Sequence, residues 1–508
     1  MLDEYLWIVI VGGIGAFWAA FGIGANDAAN AFATSVGSKA ISLGQAVIIA
    51  ATFEFSGAVL MGSQVTDTIR KKIIDVDDYQ ETPELLMLGM FAVVVSVAIW
   101  LILASYLELP VSTTNSTVAG VIGIGLVHGG FDSVVWYEYD SEKDFLSKFR
   151  GVVPIFASWF ISPLLAAAMG ACLYWFSRKI VMRHHNSLQR SYIFFPILVT
   201  ITIAVNIYFI IYKGFKRQIN GEKLSEKLGD GYISLIAWII SIVIGAFVYF
   251  LFVEWLKKYH ENWDVNQEKK EDCRIEQIER DQQIEVEIAS NESSYNGIMR
   301  RVRSFYKKLF SRDLHTEVLE ENSHVQAIHD NAEKFDEKTE HTFSFIQIFT
   351  AAMDSFSHGA NDVANSIGPF AAIWSIYDTG KVSSKAEVPI WILILGGAGI
   401  VFGLSLYGAN LIRALGIKIS KITPSRGYSI ELSSAIVIII GSIYGIPLST
   451  THTQVGSTTG VALMDGKKGI NYMVLARVVF GMVSTMVFVA SLSATIYSFG
   501  AYSPQEVL

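Results

Sequence analysis

The chain has 508 residues, of which 52% are hydrophobic and only 17% charged, with a mean hydropathy of +0.41. Soluble domains carry about a quarter charged residues, so this composition points to an integral membrane protein. The net charge of −8 and two cysteines, Cys172 and Cys273, argue against nucleic acid as a partner and against a disulfide framework.

A membrane-crossing helix needs about 20 apolar residues. In chain order the predicted spans are Trp7–Gly24, Leu43–Gly62, Leu86–Leu107, Val152–Phe176, Tyr192–Tyr212, Tyr232–Val253, Phe345–Phe356, Val388–Leu411, Leu432–Ile446 and Tyr472–Tyr497. The run from Trp7 follows acidic Asp3 and Glu4, so it reads as a first span and not as a cleaved leader. Two more runs, Pro110–Val127 and Pro447–Met464, begin at proline and are rich in Gly, Ser and Thr. They read as broken or re-entrant helices, which a membrane tolerates only where protein or water surrounds them. The fold class expected is an all-α polytopic membrane protein.

The stretch 254–342 is rich in Glu, Lys, Gln, Asn and Arg and reads as one solvated loop. Its basic amphipathic piece Met299–Arg312 is either a solvated helix or a helix resting on an anionic leaflet. The chain divides into 1–190 (first membrane half), 191–253 (additional spans), 254–342 (hydrophilic loop) and 343–508 (second membrane half). Arg178, Lys179, Arg183 and Arg190 place their loop, and with it the 254–342 loop, in the cytoplasm. The acidic loop Phe131–Asp144 then falls outside. The residues leave the relation of the halves open. They are inverted if the Pro110 segment makes one net crossing, and parallel if it is a hairpin; the Arg70–Lys71–Lys72 cluster mildly opposes inversion.

Two motifs recur in the same order at nearly the same spacing. "GANDAAN" (Gly24–Asn30) returns as "GANDVAN" (Gly359–Asn365), and "PVSTT" (Pro110–Thr114) as "PLSTT" (Pro447–Thr451). Matched internal duplication is a pointer to a transporter's binding site. On a helix, Asn26, Asp27 and Asn30 gather carboxylate and amide oxygens, as do Asn361, Asp362 and Asn365, and hard cations want oxygen ligands. The competing explanation is helix capping or interhelical bonding. Gly22, Gly24 and Gly359 can loosen each helix and free carbonyls. Ser112, Thr113 and Thr114, and again Ser449, Thr450 and Thr451, stand at helix starts, whose N–H groups and hydroxyls suit an oxyanion. Asn30 and Asn365 are placed to touch both ligands.

No Arg or Lys lies within the four motifs, and Lys39 and Arg426 are the nearest. Asp27, Asp362 and a bound phosphate would sum to roughly three or four negative charges in a poorly solvated place, so cations should enter with the anion. Glu54 and Glu431 are candidate proton or cation ligands; the alternative for Glu431 is a local pair with Arg426. His358 and His452 border the motifs and read as hydrogen-bonded structural groups.

At these residues the sequence resembles the inorganic phosphate transporter (PiT) family, the type III sodium–phosphate symporters. "TPSRGYSIEL" (Thr423–Leu432) resembles a further family stretch. The resemblance implies an inverted-repeat fold of about twelve membrane segments with an outside N-terminus. It implies a cytoplasmic middle loop and phosphate held with sodium ions between the repeats of a homodimer, most simply in the plasma membrane. No cofactor and no enzymatic activity are expected. It supports roles for Asp27, Asp362, Glu54, Glu431, Ser112 and Ser449. Asn115 departs from the histidine many relatives carry there, and Met90 from a membrane glutamate found in some. The rival readings are a proton-coupled carrier or a carrier of another oxyanion such as sulfate. A rival of another class is a membrane receptor or scaffold acting through the central loop.

Overall fold

The computed structural model describes residues 3–62, 73–74, 76–139, 149–211, 230–269, 272, 314–382, 388–443 and 448–503. The Arg70–Lys72 cluster, the Met299–Arg312 segment and Pro447 lie outside them.

The described chain is helical apart from one short antiparallel pair, β1 (Glu138–Tyr139) and β2 (Phe149–Arg150). The first half contains α1 (Leu6–Gly37), α2 (Leu43–Met61), α3 (Pro83–Tyr106), α4 (Thr113–Gly129) and α5 (Val152–Met182). Helices α6 (Ser187–Phe209) and α7 (Gly231–Glu261) follow, then two short helices, α8 (Leu314–Glu321) and α9 (Ser323–Asn331). The second half contains α10 (Glu337–Thr379), α11 (Ile390–Lys418), α12 (Pro424–Ile443), α13 (Thr450–Leu463) and α14 (Tyr472–Tyr502). Among the described residues, eight helices are long and apolar enough to cross a membrane: α1, α2, α3, α5, α6, α7, α11 and α14. Leu164, Phe480, Val487 and Phe499 are largely exposed on them, as lipid-facing side chains would be.

Local chemistry sets the helix ends. Pro83 opens α3, and Ser42 and Gln45 cap α2 reciprocally. Asp336 accepts from Thr339 N–H at the start of α10, and Gly380, with φ of 68°, ends it. Ser112 and Ser449 cap α4 and α13 in the same way, accepting from Asn115 and His452 N–H. Both caps are buried, at 1% and 0% exposure, so these helices start inside the protein. The halves exchange elements: α4 packs on α14, and α13 packs on α5.

Three expectations need correction. The predicted span Phe345–Phe356 is a piece of α10, a helix of 43 residues that runs unbroken through the second motif. At 1.5 Å per residue it is about 65 Å long, roughly twice the apolar thickness of a bilayer. The first helix does not stop at Gly24; it passes through a π-helical turn at Gly24–Ala28 and continues to Gly37. That π-helical turn is the loosening expected at the first motif, and the motif glycines also permit close packing. A Cβ at Gly24 would lie 1.8 Å from the Ile400 carbonyl oxygen, and one at Gly359 would lie 2.1 Å from that of Glu54.

The 254–342 stretch is not wholly solvated. Leu314, Val318 and Val325 are buried with Ala29, Leu411 and Ile417 in one apolar cluster. His329 Nε2 meets Ile417 O at 3.0 Å, and Glu317 pairs with Arg413. Glu333 joins Arg183 at 2.8 Å and Arg178 at 3.4 Å, and its carbonyl accepts from Arg426. Helices α8 and α9 therefore strap the ends of α5, α11 and α12 together.

Gly24→Ala is expected to push α1 from α11 and to cost about 1–3 kcal/mol. Thermal unfolding of detergent-purified protein checks this, with Gly231→Ala, where a Cβ meets nothing within 4 Å, as the unaffected control.

Candidate functional site

The two Asp-Asn motifs and the two buried helix starts meet. Asp27 accepts from Thr451 Oγ1 at 2.6 Å, Thr113 Oγ1 at 2.7 Å, Asn30 Nδ2 at 2.8 Å and Thr450 Oγ1 at 3.1 Å. Asp362 accepts from Thr450 Oγ1 at 2.9 Å, Asn361 Nδ2 at 3.0 Å and Asn365 Nδ2 at 3.2 Å. The single proton of the Thr450 hydroxyl is thus shared between the two aspartates, and both are fully buried.

The contacts are nearly symmetric. Asn30 Nδ2 donates to Thr451 Oγ1 at 3.1 Å, and Asn365 Nδ2 donates to Thr114 Oγ1 at 3.2 Å. Asp27 takes the Thr113 hydroxyl, as Asp362 takes that of Thr450. Asn115 donates to His452 Nε2 at 3.2 Å, so the equivalent positions of the two helices face each other. Symmetry fails at the first Asn of each motif. Asn26 is buried and clamps the segment entering α4: its amide donates to Leu109 O at 2.9 Å, and its oxygen accepts from Val111 N–H at 2.9 Å. Its oxygen is therefore engaged by backbone and is not presented to an ion in this arrangement. Asn361 is half-buried and bonds only to Asp362 among the described residues.

His358 carries the main surprise. Its Nε2 lies 2.7 Å from Asp362 Oδ2, and its Nδ1 lies 2.6 Å from Glu54 Oε1. Ligand atoms of Asp27, His358 and Asp362 all fall within 4.8 Å of one another. The site thus holds a resident group able to carry positive charge, which a count restricted to Arg and Lys overlooks. A histidine four residues before Asp362, one helical turn away, was the available signal. The sequence also gave no reason to single out Asp354, which is buried one turn before His358.

Glu431 lies apart from this centre. It accepts from Thr34 at 2.6 Å, Ser35 at 2.7 Å and Gln347 at 3.3 Å, and from Thr350. It does not pair with Arg426, which is buried against Asp465 at 2.8 Å. Lys39 is exposed at the far end of α1. Neither basic residue compensates the aspartates.

Two buried helix N-termini whose hydroxyls converge on two buried aspartates, inside a bundle of apolar helices, fit a membrane transport protein for small ions. The comparisons with known proteins agree. Residues 23–493 match the phosphate transporter family, and the chain belongs to that family. It is 30% identical to the phosphate-repressible phosphate permease pho-4 of Neurospora crassa, the alignment covering 96% of each chain. It is 28% identical to a sodium-dependent phosphate transporter of Plasmodium falciparum, over 99% of this chain and 98% of that one. A solved structure titled the sodium-dependent phosphate transporter superposes with a TM-score of 0.70 at 30% identity, covering 98% of this chain and all of that one.

His358→Ala is expected to leave Glu54 and Asp362 as uncompensated buried carboxyls and to destabilise by about 3–5 kcal/mol. Adding Glu54→Gln should recover part of that loss. A double-mutant cycle on thermal stability checks the coupling.

Proposed function

We propose that the protein is a secondary transporter that carries inorganic phosphate with sodium by alternating access. The observation that carries this reading is the convergence of Asp27, Asp362 and the two hydroxyl-rich helix starts, in a chain whose relatives are named sodium-dependent phosphate transporters. Phosphate is taken by Ser112, Thr113, Thr114, Ser449, Thr450 and Thr451, with Asn30 and Asn365. Sodium is taken by Asp27, Asp362, Asn30, Asn361 and Asn365; Asn26 joins them only once its oxygen leaves Val111.

The geometry also suggests how the ions are coupled. The threonine hydroxyls that would donate to phosphate donate instead to the aspartates. A sodium ion on a carboxylate competes with those donors for its lone pairs. Released hydroxyls and N–H groups then face an oxyanion. Sodium first, phosphate second, is the order this implies. Without sodium, phosphate would meet two buried carboxylates that already take the Thr113, Thr450 and Thr451 hydroxyls.

The finer architecture belongs to the same reading. Two inverted repeats, 1–190 and 343–508, flank the added spans at 191–253 and the segment 254–342. The exchange of α4 and α13 between the halves, and the facing of Asn115 and His452, support it. A twelve-segment topology, an outside N-terminus, a cytoplasmic central segment, a homodimer and a plasma-membrane location complete it. Proton coupling is the second reading, and the bridge by His358 between Glu54 and Asp362 favours it.

Uptake of labelled phosphate into cells or liposomes tests both. Replacing sodium by choline is expected to abolish uptake, and Asp27→Asn or Asp362→Asn to lower it about 100-fold or more. Uptake that persists in choline and rises with acidity overturns sodium coupling in favour of protons.

A further inference from the structure

The two buried helix starts rest on different neighbours. A Cβ at Gly456 would lie 2.3 Å from the Pro163 carbonyl oxygen, and one at Gly460 would lie 2.1 Å from that of Ala167, so α13 lies on α5 at backbone distance. A Cβ at Gly123 would lie 2.4 Å from the Ala490 carbonyl oxygen, so α4 lies on α14 in the same way. Helices interlocked this closely have little room to slide past each other. The hydroxyls of the two starts therefore belong to two separate packing units, and whatever joins α4 to α13 sets the distance between them.

Among the described residues, two side-chain contacts make that join. Thr451 Oγ1 lies 3.2 Å from the Val111 carbonyl oxygen, but its single proton has a nearer acceptor in Asp27, at 2.6 Å. The other contact is the bond from Asn115 Nδ2 to His452 Nε2, at 3.2 Å. Each residue is the third of its helix, directly after Thr114 or Thr451, and its own N–H is the one its capping serine takes. Both are buried, at 1% and 3% exposure. His452 is braced from α5 as well. The Trp159 ring meets it edge-on with 6.4 Å between centroids, and the backbone group that interacts with it is the Trp159 carbonyl. Pro163, four residues on, has no N–H with which to give that carbonyl its helical bond. The brace is too loose to close a hydrogen bond at Nδ1, so the bond from Asn115 is the one closed bond of the ring among the described residues. Accepting at Nε2 leaves the ring proton on Nδ1.

We propose that Asn115 and His452 are a positioning pair for phosphate: their bond sets the spacing of the two helix starts, and with it the aim of the Thr113, Thr114, Thr450 and Thr451 hydroxyls. The inference rests on the reading of these starts as the phosphate cradle and adds to it two residues that act through their neighbours. An oxyanion held from two sides uses both sets of donors fully at one separation only, because such bonds weaken outside about 2.7–3.2 Å. Neither member of the pair touches an aspartate, whose partners are threonines, asparagines and His358. Loosening the pair therefore weakens phosphate more than the cation.

The test is phosphate uptake by the full-length chain, with surface protein quantified, in Asn115→Leu, His452→Leu, the double variant and Asn115→His. Asn115→Leu keeps the volume and loses the donor, and it is expected to raise the phosphate KM at saturating sodium about tenfold. The half-saturating sodium concentration at saturating phosphate should stay within about twofold of the parent. His452→Leu should raise the phosphate KM by a similar factor. The double variant should lie within about twofold of the worse single one, since both remove the same bond. Asn115→His, whose ring Nδ1 has the reach of the amide nitrogen, should bring the phosphate KM back to within about threefold of the parent. The pair is overturned if Asn115→Leu keeps the parental phosphate KM, if the two single effects multiply in the double variant, or if sodium and phosphate parameters move together. If Asn115→Leu does not reach the membrane, a parental phosphate KM in Asn115→Ser, too short to meet His452, overturns it equally. Parental uptake that fails to saturate with phosphate would instead bring down the underlying reading.

Discussion

Two aspartates buried within reach of each other, with neither arginine nor lysine against them, constrain everything else in this protein. Like charges at that separation in a dry interior are mutually destabilising. The structure meets the constraint with hydroxyls: Thr113, Thr450 and Thr451 all donate to Asp27 or Asp362. His358 adds a second device, bridging Asp362 to Glu54. Each device is reversible. A hydroxyl can turn to another acceptor, and an imidazole can exchange a proton. A buried arginine would have satisfied the aspartates permanently and left nothing for a passing cation to do. The absence of Arg and Lys from the motifs is thus part of the mechanism and not an omission.

The scaffold follows from bringing these groups together. The helix starts of α4 and α13 must reach the interior, and each is held there by its serine cap. The motif helices must approach their neighbours at backbone distance, which is why Gly24 faces the Ile400 carbonyl and Gly359 the Glu54 carbonyl. Any side chain there would push the motif helices away from their neighbours. The exchange of α4 and α13 between the halves means that neither half builds a complete site alone. Asp27 from the first half needs Thr451 from the second, and Asn365 needs Thr114.

Much of this was legible in the residues, because duplication turns weak local signals into a joint one. The pairs Asp27/Asp362 and Ser112/Ser449 stand out by recurrence; the structure brings the aspartates to one centre with the threonines that follow the two capping serines. Glu54 and Glu431 stand out as carboxyls in apolar sequence, and both are buried. What escaped was whatever lacks a local signature. His358 looks like an ordinary polar neighbour until α2 brings Glu54 to its other nitrogen. Arg426 pairs with Asp465, just past the end of α13, so the alternative that proximity in sequence offered for Glu431, a local pair with Arg426, is not what the structure shows. The length of α10 escaped because its polar face, from Gln347 to Asn365, breaks the hydropathy that marks a span. The docking of α8 and α9 escaped because a few buried residues such as Leu314 and Val325 are outweighed by the charges around them.

The repeats are close to equivalent at the centre and diverge just outside it, and the divergence has a direction. Asn26 is tied to the α4 entry segment, while Asn361 is half-buried and bonds only within its own motif. The first motif lies in a π-helical turn and the second in a regular helix. In α4, Thr117 donates to the Asn365 carbonyl, whereas its counterpart in α13, Gln454, has no partner. Glu431, Asp354 and Gln454 all lie on the side toward α9. The repeats thus stay equivalent around Asp27 and Asp362, while Glu431, Asp354 and the unpartnered amide of Gln454 lie to one side of them and have no counterpart on the other.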